Sequence, residues 1–273
     1  MKASVIITNY NHTDTIVRAV KSVQDQVTNF PFEIIIADDG SEDDSMNQIV
    51  RILNNRTTTT KHAYIITVNT HVGMMGNYIR ALKSSTGEYI AFCDSDDYWV
   101  DTYKLQNQVD FLEKNKNYCG CYSNLAIDET NRGGENSILL IKDYPELITF
   151  DKLLCGACIP SPTIMIDGDL CRHIIEQDDY AKFYYWDYPL YLFIALFSDF
   201  KRYTEVVTAV FTKQIESHTQ TVFRGKRWKY ILGTLKIKLF FIRFYSCKFS
   251  TLLFVMYRFI RDIYSVIFKR WNK

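Results

Sequence analysis

Apolar residues follow two alternating periods along the first 115 positions. Ser4-Val5-Ile6-Ile7 is a short, largely β-branched run that ends in a polar cluster, Thr8-Asn9-Tyr10-Asn11. From Asp14 to Gln26 the positions Ile16, Val17, Val20 and Val23 fall at helical spacing. Phe32-Glu33-Ile34-Ile35-Ile36-Ala37 is a second strand that stops at Asp38-Asp39-Gly40-Ser41. Asp43 or Asp44 is placed to cap a helix running through Ile49, Ile52 and Leu53. Ala63 to Val68 reads as a third strand, Gly73 to Ser85 as a helix with Ile79 and Leu82 inward, and Tyr89 to Cys93 as a fourth strand. This alternation predicts the α/β class, with a mostly parallel sheet flanked by crossover helices.

Beyond the fourth strand the pattern is looser. Tyr103 to Asn115 has helical spacing at Leu105, Val109 and Leu112, and Tyr118 to Ile127 reads as another strand. Asn131-Arg132-Gly133-Gly134 predicts a turn, and Cys155 to Ile166, with Pro160 and Pro162, predicts an irregular stretch. Trp186 to Phe197 reads as an apolar helix and Val206 to Phe211 as a strand. The last 45 residues are helix-like and nearly free of Gly and Pro.

Composition adds little until charge is mapped along the chain. Hydrophobic residues at 47% and charged residues at 23% fit a folded globular protein. The net charge of +1 conceals a division: residues 224–273 hold 13 of the 32 Lys and Arg and one of the 31 acids, so the tail carries +12 and the body −11. The expected organisation is therefore a body at 1–223 and a basic helical tail at 224–273. The seven cysteines are scattered, and neither Cys155-Gly-Ala-Cys158 nor Cys119-Gly-Cys121 has zinc-ribbon spacing or a His pair beside it. The start, Met-Lys-Ala-Ser-Val-Ile-Ile-Thr, has no apolar stretch long enough for a signal peptide. Reduced thiols in a cytoplasmic protein are the expectation.

The chemistry is concentrated at strand ends. Asp94-Ser95-Asp96-Asp97 places three acids in four residues where the fourth strand stops, and Asp38-Asp39 places two where the second stops. In open α/β sheets ligands bind beyond the carboxyl ends of the strands. Acids packed this closely repel one another, and a hard divalent ion on a phosphate offsets the repulsion. Taken alone, either cluster also fits a solvated turn or the acid-tolerant start of a helix. No Walker A sequence occurs and no G-x-G-x-x-G follows a strand, so a cradle of glycine amides is not expected.

Four segments in order resemble family 2 glycosyltransferases of the GT-A fold. They are Ser4 to Asn11, Glu33 to Ser41, Gly87 to Trp99 with its Asp94-Ser95-Asp96, and Lys104-Leu105-Gln106-Asn107-Gln108-Val109-Asp110-Phe111-Leu112-Glu113. The resemblance covers roughly residues 2 to 115. It implies inverting transfer of a sugar from a nucleotide-diphosphate donor, expected to be a UDP-sugar, with Mn²⁺ or Mg²⁺ as cofactor. By that mapping Thr8, Tyr10, Asp38 and Asp39 contact the nucleoside. Asp94 touches the ribose or donor sugar, Asp96 binds the metal, and Asp97 assists either. Inversion also needs a base for the acceptor hydroxyl. Asp187, in Tyr185-Trp186-Asp187-Tyr188, is the candidate, with Asp178-Asp179 as rivals, and a helix cap is the plain alternative for Asp187. Late in such domains a His can contact metal or phosphate, and His218 or Gln214 falls in that stretch. Relatives often carry Arg-Asn where Gly76-Asn77 stands here, and Arg80 is the nearest replacement. His12, His62, His71 and His173 show no metal-ligand spacing.

In the tail, Lys229, Lys236 and Arg243 recur at seven-residue steps and share a helical stripe, and Arg258, Arg261 and Asp262 form another. No stretch of eighteen uncharged apolar residues exists. Two helices lying on an anionic membrane surface are expected, giving access to a lipid-linked or oligosaccharide acceptor from the inner face of the cell membrane. Packing on the body or a dimer interface are the other roles open to them. The tail is too apolar for a nucleic-acid partner. A nucleotidyltransferase or a non-catalytic sugar-nucleotide-binding subunit are the alternatives to transfer. The first lacks its Gly-rich loop after Ile7, and the second does not need the acids that are present here.

Overall fold

A computed structural model describes residues 1–54, 61–68, 70–128, 139–142, 144–212, 227–245 and 249–268. The parallel half of the sheet is built first along the chain. β1 (Ala3–Asn9), α1 (Ile16–Gln24), β2 (Phe32–Asp38), α2 (Ser45–Asn54), β3 (Lys61–Thr67), α3 (Gly73–Ser84) and β4 (Tyr89–Phe92) follow in strict alternation. β1 sits between β2 and β4, and β3 lies outside β2, all parallel. Val5, Ile6, Ile7, Ile34, Ile35 and Ile36 are buried whichever face they point to, as expected of strands covered on both sides.

The second half is mixed. β5 (Tyr98–Trp99), α4 (Lys104–Lys114), β6 (Gly120–Asp128), β7 (Leu139–Lys142), β8 (Leu147–Ile148) and α5 (Phe150–Leu154) precede β9 (Met165–Asp167), α6 (Gly168–Ile175), α7 (Asp187–Ala195) and β10 (Phe200–Thr212). The sheet runs β3-β2-β1-β4-β9-β6-β10-β5. Three-residue β9 joins the halves, antiparallel to β4 on one side and to β6 on the other. The stretch read as irregular from Cys155 to Ile166 thus contains a 3-10 turn at Ser161–Thr163 and ends inside the central strand of the sheet. β10 is longer than the Val206–Phe211 run because its early residues are half-exposed and polar, which hides the strand pattern.

Two cores flank the sheet. One packs Val5, Ile7, Ile34 and Ile36 against Ile16, Val20, Ile49, Leu105 and Val109 of α1, α2 and α4. The other packs Ile6, Ile35, Ile90 and Phe92 against α3, α6 and α7. α8 (Arg227–Phe244) joins this second core: Ile237 and Phe241 are buried, and Phe241 meets Phe150, Phe183 and Phe193. α9 (Phe249–Phe268) returns over α5, where Thr251 Oγ1 donates to Asp151 Oδ1 at 2.7 Å and an Arg258 Nη donates to the Cys155 carbonyl at 2.6 Å. Leu253, Phe254, Met256, Tyr257 and Ile260 of α9 remain exposed. No described helix is long and apolar enough to cross a membrane.

Candidate functional site

The two acidic clusters open on one edge of the sheet because β2 and β4 are both parallel neighbours of β1. With strands about 4.8 Å apart, β2 and β4 run roughly 10 Å from each other on either side of β1. Backbone bonds draw the loops together: Asp39 N–H donates to the Asn9 carbonyl at 2.9 Å and Ser95 N–H to the Thr8 carbonyl at 3.1 Å.

Each acid has a distinct setting. Asp38 is buried and organises the β2 turn, accepting from Asn9 Nδ2 at 2.7 Å, Ser41 Oγ at 2.6 Å and the backbone N–H of Ser41 at 3.0 Å. Gly40 makes that turn possible, with φ of 75°, a conformation costly for a residue with a Cβ. Asp39 is also buried. It accepts from the N–H groups of Val72 and Gly73, at 2.8 and 3.0 Å, and pairs with His71 Nδ1 at 2.9 Å. Arg80 donates to the Asp38 carbonyl, and burial lowers its pKa in spite of Asp39 and Asp38 beside it.

Asp94 is held from three elements. Its Oδ1 accepts from Thr8 Oγ1 at 2.8 Å and from the Tyr78 hydroxyl, and its Oδ2 from Ser161 Oγ at 3.4 Å. Burial raises its pKa despite these donors. Asp97 is buried and accepts from Thr212 N–H at 3.1 Å, fastening the acidic loop to the end of β10, and burial next to Asp96 and Asp94 pushes it well above the usual carboxylate range. Asp96 differs from both. Among the described residues no side chain donates to its carboxylate, it is half-buried, and burial together with Asp94 raises it to about 6.

Asp187 is the first residue of α7, near enough to Asp94 for the two charges to interact: burial raises its pKa and the Asp94 charge adds to the effect. Its Oδ1 accepts from the N–H of Tyr188 at 2.7 Å, so it makes a local contact of capping type while half-exposed. Trp186, one residue earlier, stacks on Tyr78 with ring centroids 3.7 Å apart. The segment carrying Asp187 is thereby tied to the side chain that holds Asp94. The rivals Asp178 and Asp179 are exposed, and Asp179 pairs with Lys182.

The structure thus brings Thr8, Asp94, Asp96, Asp97 and Asp187 together, with Asp38 and Asp39 along the same edge. Tyr10 is 41% exposed there, its ring 4.2 Å from that of His71. His218 and Gln214 lie outside the described residues. Sequence reasoning passed over four neighbours. Tyr78 and Ser161 hold Asp94, His71 joins Tyr10 to Asp39, and His12 Nδ1 lies 2.5 Å from Ser95 Oγ, within the acidic loop. Tyr78 had one available signal, a helical face through 78, 81 and 82 that is more buried than the one through Ile79.

Among the described residues no group of three or more His, Cys, Asp and Glu side chains forms a closed metal site. A hard ion on a nucleotide diphosphate needs fewer protein ligands, commonly one or two carboxylates with phosphate oxygens completing the set. Asp96, lacking a side-chain donor and repelled by Asp94, suits that role.

Comparison with known proteins agrees with the geometry. A family model described as "Glycosyl transferase family 2" matches residues 4–167. A protein of Escherichia coli named UDP-Glc:alpha-D-GlcNAc-diphosphoundecaprenol beta-1,3-glucosyltransferase WfaP is 36% identical over 182 residues, covering 65% of this chain and 67% of that one. Among solved structures, S. aureus TarS 1-349 in complex with UDP-GlcNAc superposes with a TM-score of 0.69 at 19% identity, over 97% of this chain and 73% of that one. The mannosyltransferase PcManGT from Pyrobaculum calidifontis, solved with GDP-Man and Mn²⁺, gives 0.64 at 15% identity, over 90% of this chain and 66% of that one. These structural likenesses establish the GT-A fold.

Proposed function

Because the chain belongs to glycosyl transferase family 2, we propose that it transfers a sugar, with inversion, from a UDP-sugar to a hydroxyl of a lipid-linked acceptor in surface polysaccharide synthesis. The observation that carries the reading is the convergence of Asp38, Asp39, Asp94 and Asp96 at the ends of two strands flanking β1, with Asp187 close enough to feel the Asp94 charge. The name of the Escherichia coli relative supports a UDP-linked donor and a diphosphate-lipid acceptor.

In this reading the nucleoside lies along Tyr10, His71 and the Asp38–Asp39 turn, with the exposed Tyr10 ring as a stacking platform. Thr8, Tyr78 and Ser161 fix Asp94 toward the ribose or donor sugar. Asp97 acts from behind the loop, holding it against β10. Asp96 would hold Mn²⁺ or Mg²⁺, which when bound supplies Lewis-acid stabilisation of the leaving diphosphate. Asp187 accepts the proton of the acceptor hydroxyl as its oxygen attacks the anomeric carbon from the face opposite the nucleotide. Its raised pKa brings it nearer the range where a carboxylate is an effective base at neutral pH.

The tail contributes a second element. The exposed apolar residues of α9, with Arg261 exposed beside them, form a surface suited to the headgroup layer of an anionic membrane. The protein then works as a peripheral enzyme at the inner face of the cell membrane.

Titration calorimetry with UDP-, GDP- and dTDP-sugars, with and without Mn²⁺, tests the donor assignment. Metal-dependent binding of a UDP-sugar is the expected result, and absence of binding for every sugar nucleotide removes the proposal.

A further inference from the structure

A cavity of about 330 Å³ opens between α8 and the segment that leads into α7. That volume is at the lower end for ligand pockets, which span roughly 300–1,000 Å³. Three ammonium groups border it: Lys182 from the α7 approach, and Lys229 and Lys236 two turns apart on α8. Lys229 and Lys236 are exposed and have no carboxylate partner among the described residues. Lys182 pairs with Asp179 at 2.7 Å, and both side chains are more than half-exposed, so the pair is weak and exchangeable. The floor is apolar, from Phe183 and Ile237. α8 can lie this close to the approach segment because position 233 is glycine: a Cβ there would sit 3.0 Å from Tyr184 Cβ.

Cations around an apolar floor select a ligand with both characters. Lysine serves phosphate as a compact point charge that needs no fixed angle, which suits a flexible diphosphate better than a planar carboxylate. The cavity wall also stands in a defined relation to the chemistry. Tyr184 precedes Asp187 by three residues, so their Cα atoms are at most about 11 Å apart. A sugar carried on a diphosphate can reach across a gap within that limit. On the α8 side, exposed Leu232 borders the cavity and Leu239 continues outward along the helix, an apolar path for a hydrocarbon chain.

We propose that this cavity is the acceptor's diphosphate subsite: Lys182, Lys229 and Lys236 hold the diphosphate of a polyprenyl-type amphiphile, its sugar reaches toward Asp187, and its hydrocarbon leaves along Leu232 and Leu239. The assignment rests on the lipid-linked acceptor of the proposed reaction and adds where that acceptor is gripped. The lysine stripe of α8 then acts on one bound molecule and not on a membrane surface at large.

The test uses the full chain, without divalent ions, and three probes in calorimetry: farnesyl diphosphate below its micelle concentration, farnesol, and inorganic pyrophosphate. Farnesyl diphosphate should bind at least tenfold more tightly than either of the others. The Lys229→Gln/Lys236→Gln double variant should lose at least tenfold of that affinity, and Lys229→Arg/Lys236→Arg should recover it to within about threefold. Unchanged binding in the glutamine variant overturns the site, and pyrophosphate binding as tightly as farnesyl diphosphate overturns the amphiphile. UDP-glucose with Mn²⁺ is titrated separately into the same proteins. If it fails to bind wild type, the transferase reading falls while the lysine result stands by itself. If it binds all three proteins equally and only farnesyl diphosphate discriminates among them, both hold.

Discussion

The Tyr78 hydroxyl donates to the Asp94 carboxylate while the Tyr78 ring stacks on Trp186, the residue before Asp187. One side chain therefore spaces the acid of the acidic loop from the candidate base. Tyr78→Phe keeps the stack and removes the donor. Its expected effects are a loss of about 1 kcal/mol in stability, as for one hydrogen bond, and roughly tenfold weaker donor binding. Denaturant unfolding and calorimetry on the same preparation check this; donor affinity equal to wild type would show that Asp94 does not need Tyr78.

On the proposed reading, Asp96 controls the metal-dependent part of donor binding. Its pKa is raised to about 6, and only the deprotonated carboxylate ligates a cation. Affinity for a UDP-sugar with Mn²⁺ should rise between about pH 5 and pH 7 with a midpoint near 6, and Asp96→Asn should abolish the metal-dependent increment at every pH. A flat pH profile in wild type contradicts the assignment.

Asp187→Asn keeps an oxygen that can accept from Tyr188 N–H but removes the proposed base. Turnover should fall by about 100- to 10,000-fold, the usual contribution of general base catalysis, with donor affinity within about twofold of wild type. Single-turnover transfer measured beside donor titration separates the two. A variant that keeps full turnover leaves Asp187 as a helix cap and nothing more.

Lys104 is wholly buried, donates to Gln108 Oε1 at 2.6 Å, and lies 4.1 Å from the centroid of the Trp99 ring. Burial pushes its pKa down to about 7, from an ordinary value near 10.5. Between those values the unfolded chain holds more protons than the folded one, so this lysine makes stability increase as pH rises from about 7 toward 10. Lys104→Met should remove that component. Urea midpoints of the two proteins, compared across that range, should converge as pH rises.

The exposed row on α9 predicts membrane contact that depends on apolar side chains. Phe254→Glu/Ile260→Glu alters two exposed positions, 43% and 63% accessible, and leaves packing intact. Wild type should float with phosphatidylglycerol vesicles, and the variant should not. Deleting the whole tail is a poor substitute, because Ile237 and Phe241 of α8 belong to the core.

Much of the acidic edge was legible because its logic is local. Val5 to Ile7 and Ile34 to Ile36 are buried on both faces and read as strands without context, and their parallel pairing delivers Asp38 and Asp94 to one edge. The half of the sheet beyond β4 was less legible. β9 has three residues, too few for a period to declare itself, and its place between β4 and β6 is decided by partners distant in sequence. Tyr78, Ser161 and His71 were missed for a related reason: each is ordinary in its own segment and gains a role only through a long-range contact. The lysine stripe of α8 was visible as a period, but which surface it faced depended on where α8 docked.

β9 has an engineering consequence. Thr8, Asp38, Asp39, Asp94 and Asp96 all precede it, while Asp187 and the three cavity lysines all follow it. A chimera spliced at this seam, keeping the first 167 residues and grafting the remainder from another member of the fold, would on the proposed reading inherit its nucleotide from one parent and its recipient from the other. The Ala209–Leu125 and Val210–Ala126 register pairs, between β10 of the graft and β6 of the retained part, are the joints such a graft must match.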